Sequence, residues 1–191
     1  MKISLLWSGQ FYRSLENCLI SIIDSGTEVN SVIVGMYEDK IFRAEYFIKA
    51  NTNWEVVFCE IKNQFVNETT HFSLQSDGKG NWMMNGEYAQ QFSGCIDVDI
   101  SLTPFTNTLP INRLKLTQKE GHLIKVVYID ILEQQIKSLQ QHYARLSETE
   151  YKYENVPNDF EAVITIDEVG LVVNYPGLFQ RTAVQKMNDD K

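Results

Sequence analysis

Polar and apolar residues alternate strictly along residues 95–102 of the chain. The apolar residues share one face, whereas Asp97 and Asp99 share the other, because side chains of a strand point alternately to its two faces. This pattern predicts a half-buried strand.

Two prolines follow this strand, and each of them restricts the backbone. Pro104 and Pro110 fix φ and lack an N–H donor, so we predict an ordered loop between them. The loop carries the polar side chains of Thr103, Thr106, Asn107 and Thr108. A strand-like pattern resumes at residues 113–116.

Most of the remaining chain reads as strands rich in β-branched and aromatic residues, separated by Gly, Asn and Asp turns. The predicted strands are 18–23, 29–36, 40–48, 54–61, 70–75, 82–84, 123–129 and 162–166. We therefore predict a mainly β protein with at most one or two helices.

The best helix candidate is the glutamine-rich stretch 131–147. Ile136, Leu139, Tyr143 and Leu146 follow one another at spacings of three and four, which would form one apolar helix face. As a strand, the same stretch would instead place Gln141, Tyr143 and Arg145 on a common face. Both interpretations stay open at this point.

Segments 71–85 and 161–175 share the pattern strand, D-x-x-G, strand. A hairpin with a glycine at positive φ would have this pattern. Asp77 and Asp167 lie about half the chain apart. Either two simple hairpins resemble each other by chance, or the chain contains two similar halves joined near residues 94–114.

Composition narrows the class of protein. The chain has 191 residues, of which 43% are hydrophobic and 12% aromatic, as expected of a globular protein with a substantial core. The net charge is −8, whereas nucleic-acid-binding proteins usually carry a basic surface for phosphates. A negative charge also disfavours binding to anionic membranes. No apolar run approaches the roughly 20 residues that span a bilayer. We expect no nucleic-acid partner and no integral membrane association.

The cysteines indicate the compartment. Cys18, Cys59 and Cys95 lie far apart in apolar or strand-like runs, which predicts buried free thiols. Free thiols fit a reducing compartment, and the N-terminal apolar run is too short for a signal peptide. We therefore expect a cytoplasmic protein.

The polar face of the first predicted strand offers candidate chemistry. Asp97 and Asp99 could act as an acid/base pair or contact a cation or ligand. Alternatively, they accept hydrogen bonds from the 103–110 loop or pair with Arg113. The histidines are dispersed, and nucleophile, nucleotide and zinc motifs are missing, so we predict no metal and no cofactor.

The run 97–114, with D-V-D, T-P-F-T-N-T-L-P-I and R-L, resembles the signature of the bacterial glycolipid-binding family, formerly a domain of unknown function. Further landmarks agree in order: Glu16, Asp77, Gly78, Trp82, Gly86, Gly94, Cys95, Gln141, Tyr143, Phe160, 170–173 and 175–177. The resemblance implies an antiparallel sheet that forms a duplicated, partly open β-barrel, related to the fold of bacterial lipoprotein-localisation factors. It also implies an apolar cavity for a lipid or glycolipid.

The implied organisation is a single domain, 1–191, built from halves at about 1–103 and 104–181, followed by a polar C-terminal tail over 182–191. One position departs from the family pattern. Asn112 stands where the family often has a basic residue, which leaves Arg113 to bind an anion.

The leading hypothesis is a non-enzymatic carrier or sensor for an amphipathic, glycolipid-like small molecule. The tryptophans Trp7, Trp54 and Trp82 either stack on sugar rings and line the cavity or pack in the core. The ligand-binding candidates are Trp7, Glu16, Trp54, Trp82, Asp97, Asp99, Asn107 and Arg113. One alternative is a hydrolase acting on a sugar or lipid ester through Asp97 and Asp99, or through Glu16. Another is a structural module that pairs through an exposed strand edge.

Overall fold

The structure, a computed structural model, describes residues 1–187. Within them it contains fifteen β-strands, a short 3-10 turn at Gln90–Phe92 and one α-helix, α1 (Phe105–Leu114). The strands are β1 (Lys2–Gly9), β2 (Ser14–Ile23), β3 (Gly26–Tyr37), β4 (Lys40–Ala50), β5 (Val56–Phe65), β6 (Glu68–Ser76), β7 (Trp82–Met84), β8 (Glu87–Tyr88), β9 (Asp97–Ile100), β10 (Gly121–Asp130), β11 (Gln135–Arg145), β12 (Glu150–Val156), β13 (Glu161–Ile166), β14 (Val172–Tyr175) and β15 (Phe179–Met187).

All the described strands form one sheet in the order β8-β7-β6-β5-β4-β3-β2-β1-β15-β14-β13-β12-β11-β10-β9. Neighbours are antiparallel except β9 and β10, which run parallel with Asp97 opposite Val126. The first and last strands pair, since β1 lies between β2 and β15. The sheet is barrel-like but does not close, and β8 and β9 form its edges. The predicted mainly β, partly open architecture is confirmed.

One face of the sheet is buried, and α1 packs against it. Burial alternates along β1, where Ile3, Leu5 and Trp7 are buried, as the period of two requires. Residues 105–111 of α1 are buried on every side, and the ring of Phe105 stacks on Tyr46 with centroids 6.5 Å apart. The helix therefore fills the interior of the open sheet.

The prediction of an ordered loop between Pro104 and Pro110 is wrong, because residues 105–114 form a helix. Pro104 is the residue before the helix, and the Thr103 hydroxyl accepts a hydrogen bond from the Phe105 N–H at 3.0 Å. Pro110 lies inside the helix and removes one backbone donor. The predicted strand at 113–116 is also wrong, because the helix ends with Lys115 in the left-handed conformation at φ 49°.

The glutamine-rich stretch forms a strand, β11, and not a helix. Gln141 and Tyr143 are buried on one face of it, as the strand interpretation predicts. Its long antiparallel pairing with β10 and β12 accounts for this outcome, since cross-strand pairing overrides weak helical periodicity.

Both predicted D-x-x-G hairpins are present, as β6–β7 and β13–β14. Asp77 Oδ1 accepts hydrogen bonds from the N–H groups two and four residues later, at 2.8 and 3.2 Å, and Asp167 Oδ1 does the same at 3.1 and 3.0 Å. Gly80 and Gly170 both have positive φ, 92° and 79°. The two turns are built alike, and the duplication of the halves stays a prediction.

The predicted boundary at residue 103 falls between β9 and α1, and the division into two halves and a polar tail stays a prediction. Residues 182–187 continue β15, which pairs with β1 so that Lys2 lies opposite Met187. The rest of that tail, 188–191, lies outside the described residues. Cys18, Cys59 and Cys95 are buried free thiols, as predicted.

Candidate ligand-binding cleft

A cleft of about 760 Å³ opens beside the first turn of α1. Residues of the β1–β2 turn, the end of β9, strands β10–β12 and the connections that follow β12 and β14 line it. Its aromatic lining residues are Phe11, Tyr12, Tyr128, Tyr153, Phe160, Tyr175 and Phe179. This volume lies within the range of about 300–1,000 Å³ typical of small-molecule sites. We call it the aromatic cleft.

Four of the rings in the aromatic cleft, those of Tyr153, Phe160, Tyr175 and Phe179, form one connected group. Tyr153 lies 6.0 Å from Tyr175 and 6.1 Å from Phe160, and Tyr175 lies 6.3 Å from Phe179, between ring centroids. Phe11 and Phe160 are 66% and 38% exposed, so apolar surface faces the open space. Aromatic faces that remain accessible can pack against an alkyl chain or a sugar ring.

Asp99 brings a carboxylate to this aromatic wall. Its Oδ2 accepts a hydrogen bond from Gln141 Nε2 at 2.5 Å, and its Oδ1 accepts one from Thr106 Oγ1 at 3.1 Å. Both partners are neutral, and burial raises the pKa of Asp99 above its ordinary value. The partners hold the carboxylate at the cleft without neutralising it.

A chain of hydrogen bonds fixes the neighbouring polar groups. Asn107 Nδ2 donates to the Tyr143 hydroxyl at 2.8 Å, and that hydroxyl donates to Gln141 Oε1 at 3.5 Å. Gln141 in turn donates to Asp99. Asn107 and Asp99, from α1 and β9, therefore reach the cleft as parts of one network.

The phenols around the cleft stay protonated. Burial, reinforced by the charge of Asp130, raises the pKa of Tyr12 to about 12 and that of Tyr128 further. Burial is also the main cause that raises the pKa of Tyr153 and Tyr175. These side chains present neutral rings and hydroxyls to the cleft.

Asp97 pairs with Arg113, one of the alternatives drawn from the sequence. Arg113 Nε and the terminal guanidinium nitrogen donate to the two carboxylate oxygens of Asp97 at 3.1 and 2.6 Å. Asp97 is fully buried; burial raises its pKa, and Arg113 opposes that shift. Neither residue lines the aromatic cleft, so Asp97 and Asp99 do not face a common space there.

Glu16 lies behind the cleft, in the interior. Its Oε1 accepts hydrogen bonds from the hydroxyls of Ser31, Tyr46 and Thr103 at 2.7, 2.7 and 2.9 Å. Its Oε2 has no hydrogen-bond partner among the described residues. Burial raises the pKa of Glu16 to about 7, against the three hydroxyl donors that lower it. Thr103 is its link to the cleft, because Thr103 also lines that space.

The three tryptophans do not line the aromatic cleft. Trp7 and Trp82 are buried, and their indole N–H groups donate to the carbonyls of Val172 and Cys95 at 2.9 and 2.7 Å. Trp54 has a left-handed backbone, with φ 65°, and borders a different depression near the end of α1. Of the eight predicted ligand-binding residues, Asp99 and Asn107 line the cleft.

The sequence-based prediction missed the tyrosines and phenylalanines of the cleft. The useful signal was the position of Phe160, three residues after Pro157, and of Tyr175, directly before Pro176. Turn residues such as these prolines bring side chains to the end of a sheet. Residues 1–187 contain no group of three or more side chains placed to hold a metal ion, and none of their helices is long and apolar enough to cross a membrane.

The fold and the cleft define a class of protein with an open, barrel-like β-sheet wrapped around one helix and a large aromatic cleft at the start of that helix. The chain belongs to the family described as "putative glycolipid-binding", whose model matches residues 4–181. The resemblance carried by residues 97–114 is thereby confirmed.

A solved structure supports the fold. The chain is similar to a DUF1089-family protein from Pseudomonas aeruginosa, known from a crystal structure, with 32% identity and a TM-score of 0.78. The match covers 87% of this chain and 92% of that one. No curated protein matches the chain.

Proposed function

We propose that the protein binds an amphipathic, glycolipid-like ligand in the aromatic cleft, as a carrier or sensor. The apolar part packs on the connected rings, and the polar part lies near Asp99 and Asn107. The observation that carries the proposal is one cleft of about 760 Å³ that joins seven aromatic side chains to a hydrogen-bonded carboxylate and amide. The family description supports the same ligand class.

The cleft suits such a ligand because it joins two kinds of surface. Tyr153 lies on β12, Phe160 follows that strand, and Tyr175 ends β14. Asp99 comes from β9 and Asn107 from α1. Burying an alkyl chain on the rings contributes roughly 25 cal/mol per Å² of apolar surface. The polar side supplies acceptors and donors for hydroxyl groups.

Two exposed aromatic residues provide a matched test. Phe11 lines the cleft and is 66% exposed, whereas Tyr88 lies at the β8 edge, away from the cleft, and is 63% exposed. We expect Phe11→Ala to weaken binding of octyl glucoside roughly three- to tenfold, because loss of a partial apolar contact with the ligand costs about 1 kcal/mol. Tyr88→Ala should leave binding unchanged. Isothermal titration below the critical micelle concentration measures both.

A direct observation complements the titration. Native mass spectrometry of protein purified from its own host, followed by extraction, should reveal a co-purifying amphipathic molecule. A protein that is always empty, and that gains no thermal stability from octyl glucoside or from lipid extracts, would contradict the proposal.

A further inference from the structure

The lining of the aromatic cleft carries more negative than positive side chains. Among its described lining residues, Asp99 and Asp159 are carboxylates, and Lys137 is the one cation. Lys137 Nζ lies 5.8 Å from the ring centroid of Tyr128 and 3.5 Å from Gln135 Oε1. The cation is thus already placed over a ring and beside an amide.

The one cation of α1 is committed elsewhere. Arg113 donates two hydrogen bonds to the carboxylate of the fully buried Asp97. Its side chain does not line the cleft. Recognition of a phosphate or sulfate normally uses a guanidinium fork or several converging donors with positive charge. The cleft offers no such arrangement from its described residues.

Asp99 has unused capacity for hydroxyl groups. A carboxylate offers about four lone-pair sites, and each oxygen of Asp99 accepts one hydrogen bond within the protein. The free sites can accept from the hydroxyls of a sugar or another polyol. An anionic head group, in contrast, would meet another negative charge in a partly dehydrated space.

We propose that the cleft prefers an uncharged, hydroxyl-rich head group to a phosphate or sulfate head group on the same alkyl chain, and that Asp99 imposes this preference. The inference rests on the function proposed above, because it concerns the head group of the ligand that occupies the same cleft. Asn107, Thr103 and Tyr128 also line the cleft and add uncharged hydrogen-bonding groups to it.

The test compares two probes with the same tail, octyl glucoside and octyl sulfate, by calorimetric titration of the full chain below their critical micelle concentrations. We expect the glucoside to bind at least roughly tenfold more tightly, since like charges placed together strongly oppose binding. Equal binding of the two probes, or preference for the sulfate, overturns the inference and leaves the proposed function intact. Failure of both probes to bind the folded protein overturns the proposed function itself.

Two variants locate the effect. Asp99→Asn removes the charge inside the cleft, and Asp24→Asn removes one from an exposed turn that does not line it. Asp99→Asn should weaken glucoside binding and strengthen sulfate binding, whereas Asp24→Asn should keep the original ratio. An unchanged ratio in Asp99→Asn overturns the role of Asp99. If that variant does not fold, the carboxyl ¹³C resonance of Asp99 in the unaltered protein decides: it should shift on addition of glucoside, and a resonance that stays in place rejects the role.

Discussion

At the level of single residues, the Glu16 carboxyl is the least expected group in the interior. It is 2% exposed, and its three bonded partners are neutral hydroxyls. Asp97 is also buried, but it forms a bidentate salt bridge with Arg113. Glu16 is closed off from solvent and has no cation, so desolvation favours its neutral form, whereas Asp99 is only partly buried and opens on the cleft.

Glu16 therefore makes stability depend on pH. Its folded-state pKa of about 7 exceeds the ordinary value of 4.5, so the stabilising proton is fully bound at low pH and is lost as pH rises through 7. The contribution of Glu16 to the free energy of unfolding should fall by about 2 to 3 kcal/mol between pH 5 and pH 8. Glu16→Gln does not titrate. Urea unfolding of both proteins at the two pH values measures the difference between their free energies of unfolding. From pH 5 to pH 8 this difference should shift by that amount in favour of the variant. A difference that does not change with pH would refute the assignment.

At the level of elements, runs of β-branched and aromatic residues between turn residues predicted most of the sheet, whereas α1 could not be predicted. Such residues favour strands such as β2, β3 and β4, which bury alternate side chains. α1 has two prolines nearby and several threonines, which disfavour helices locally. It is helical because the surrounding sheet buries Phe105, Leu109 and their neighbours, and that burial is absent from any local pattern.

The contact between α1 and the β13–β14 turn can be tested with two glycines. Gly170 and Gly177 have nearly equal φ, 79° and 76°, but a Cβ at Gly170 would overlap the Asn112 side chain, whereas nothing lies within 4 Å of one at Gly177. Gly177→Ala should cost about 1 to 2 kcal/mol of stability for the left-handed backbone alone. Gly170→Ala should cost about 1 to 3 kcal/mol more for the overlap.

The source of the extra cost can be isolated. Asn112 also donates from Nδ2 to the Val169 carbonyl at 3.1 Å, so it joins the helix to this turn. In an Asn112→Ala background, the two glycine substitutions should cost the same amount in denaturant unfolding. A larger cost at Gly170 that persists in that background would show that the overlap with Asn112 is not the cause.

At the level of the whole molecule, the aromatic cleft shows why the site was harder to predict than the fold. Its lining comes from residues 11–12, 99–107, 128–139, 153–160 and 175–179, which meet only when the sheet curls and β1 pairs with β15. Asp99 and Asn107 were predictable as candidates because both stand in the distinctive run 97–114. Trp7 and Trp82 looked equally suitable by residue type, but the topology places them in the core.

The same topology predicts that the two halves cannot fold separately. One core cluster combines residues of the first half with Phe105, Leu109 and Ile129 of the second. Trp7 Nε1 reaches the carbonyl of Val172, and Glu16 accepts from Thr103 at the boundary itself. Without α1, a fragment 1–103 would expose the apolar face that the helix covers.

We therefore expect the full chain to unfold in one cooperative transition, with equal calorimetric and van't Hoff enthalpies. The isolated fragment 1–103 should bind a hydrophobic dye and lack near-ultraviolet circular dichroism, because its secondary structure would persist without fixed packing of Trp7 and Tyr46. Refolding it together with 104–191 should restore the signal, which serves as the control. A fragment that shows its own sharp thermal transition would mean that each half contains a sufficient core, and that α1 closes the cleft without holding the fold together.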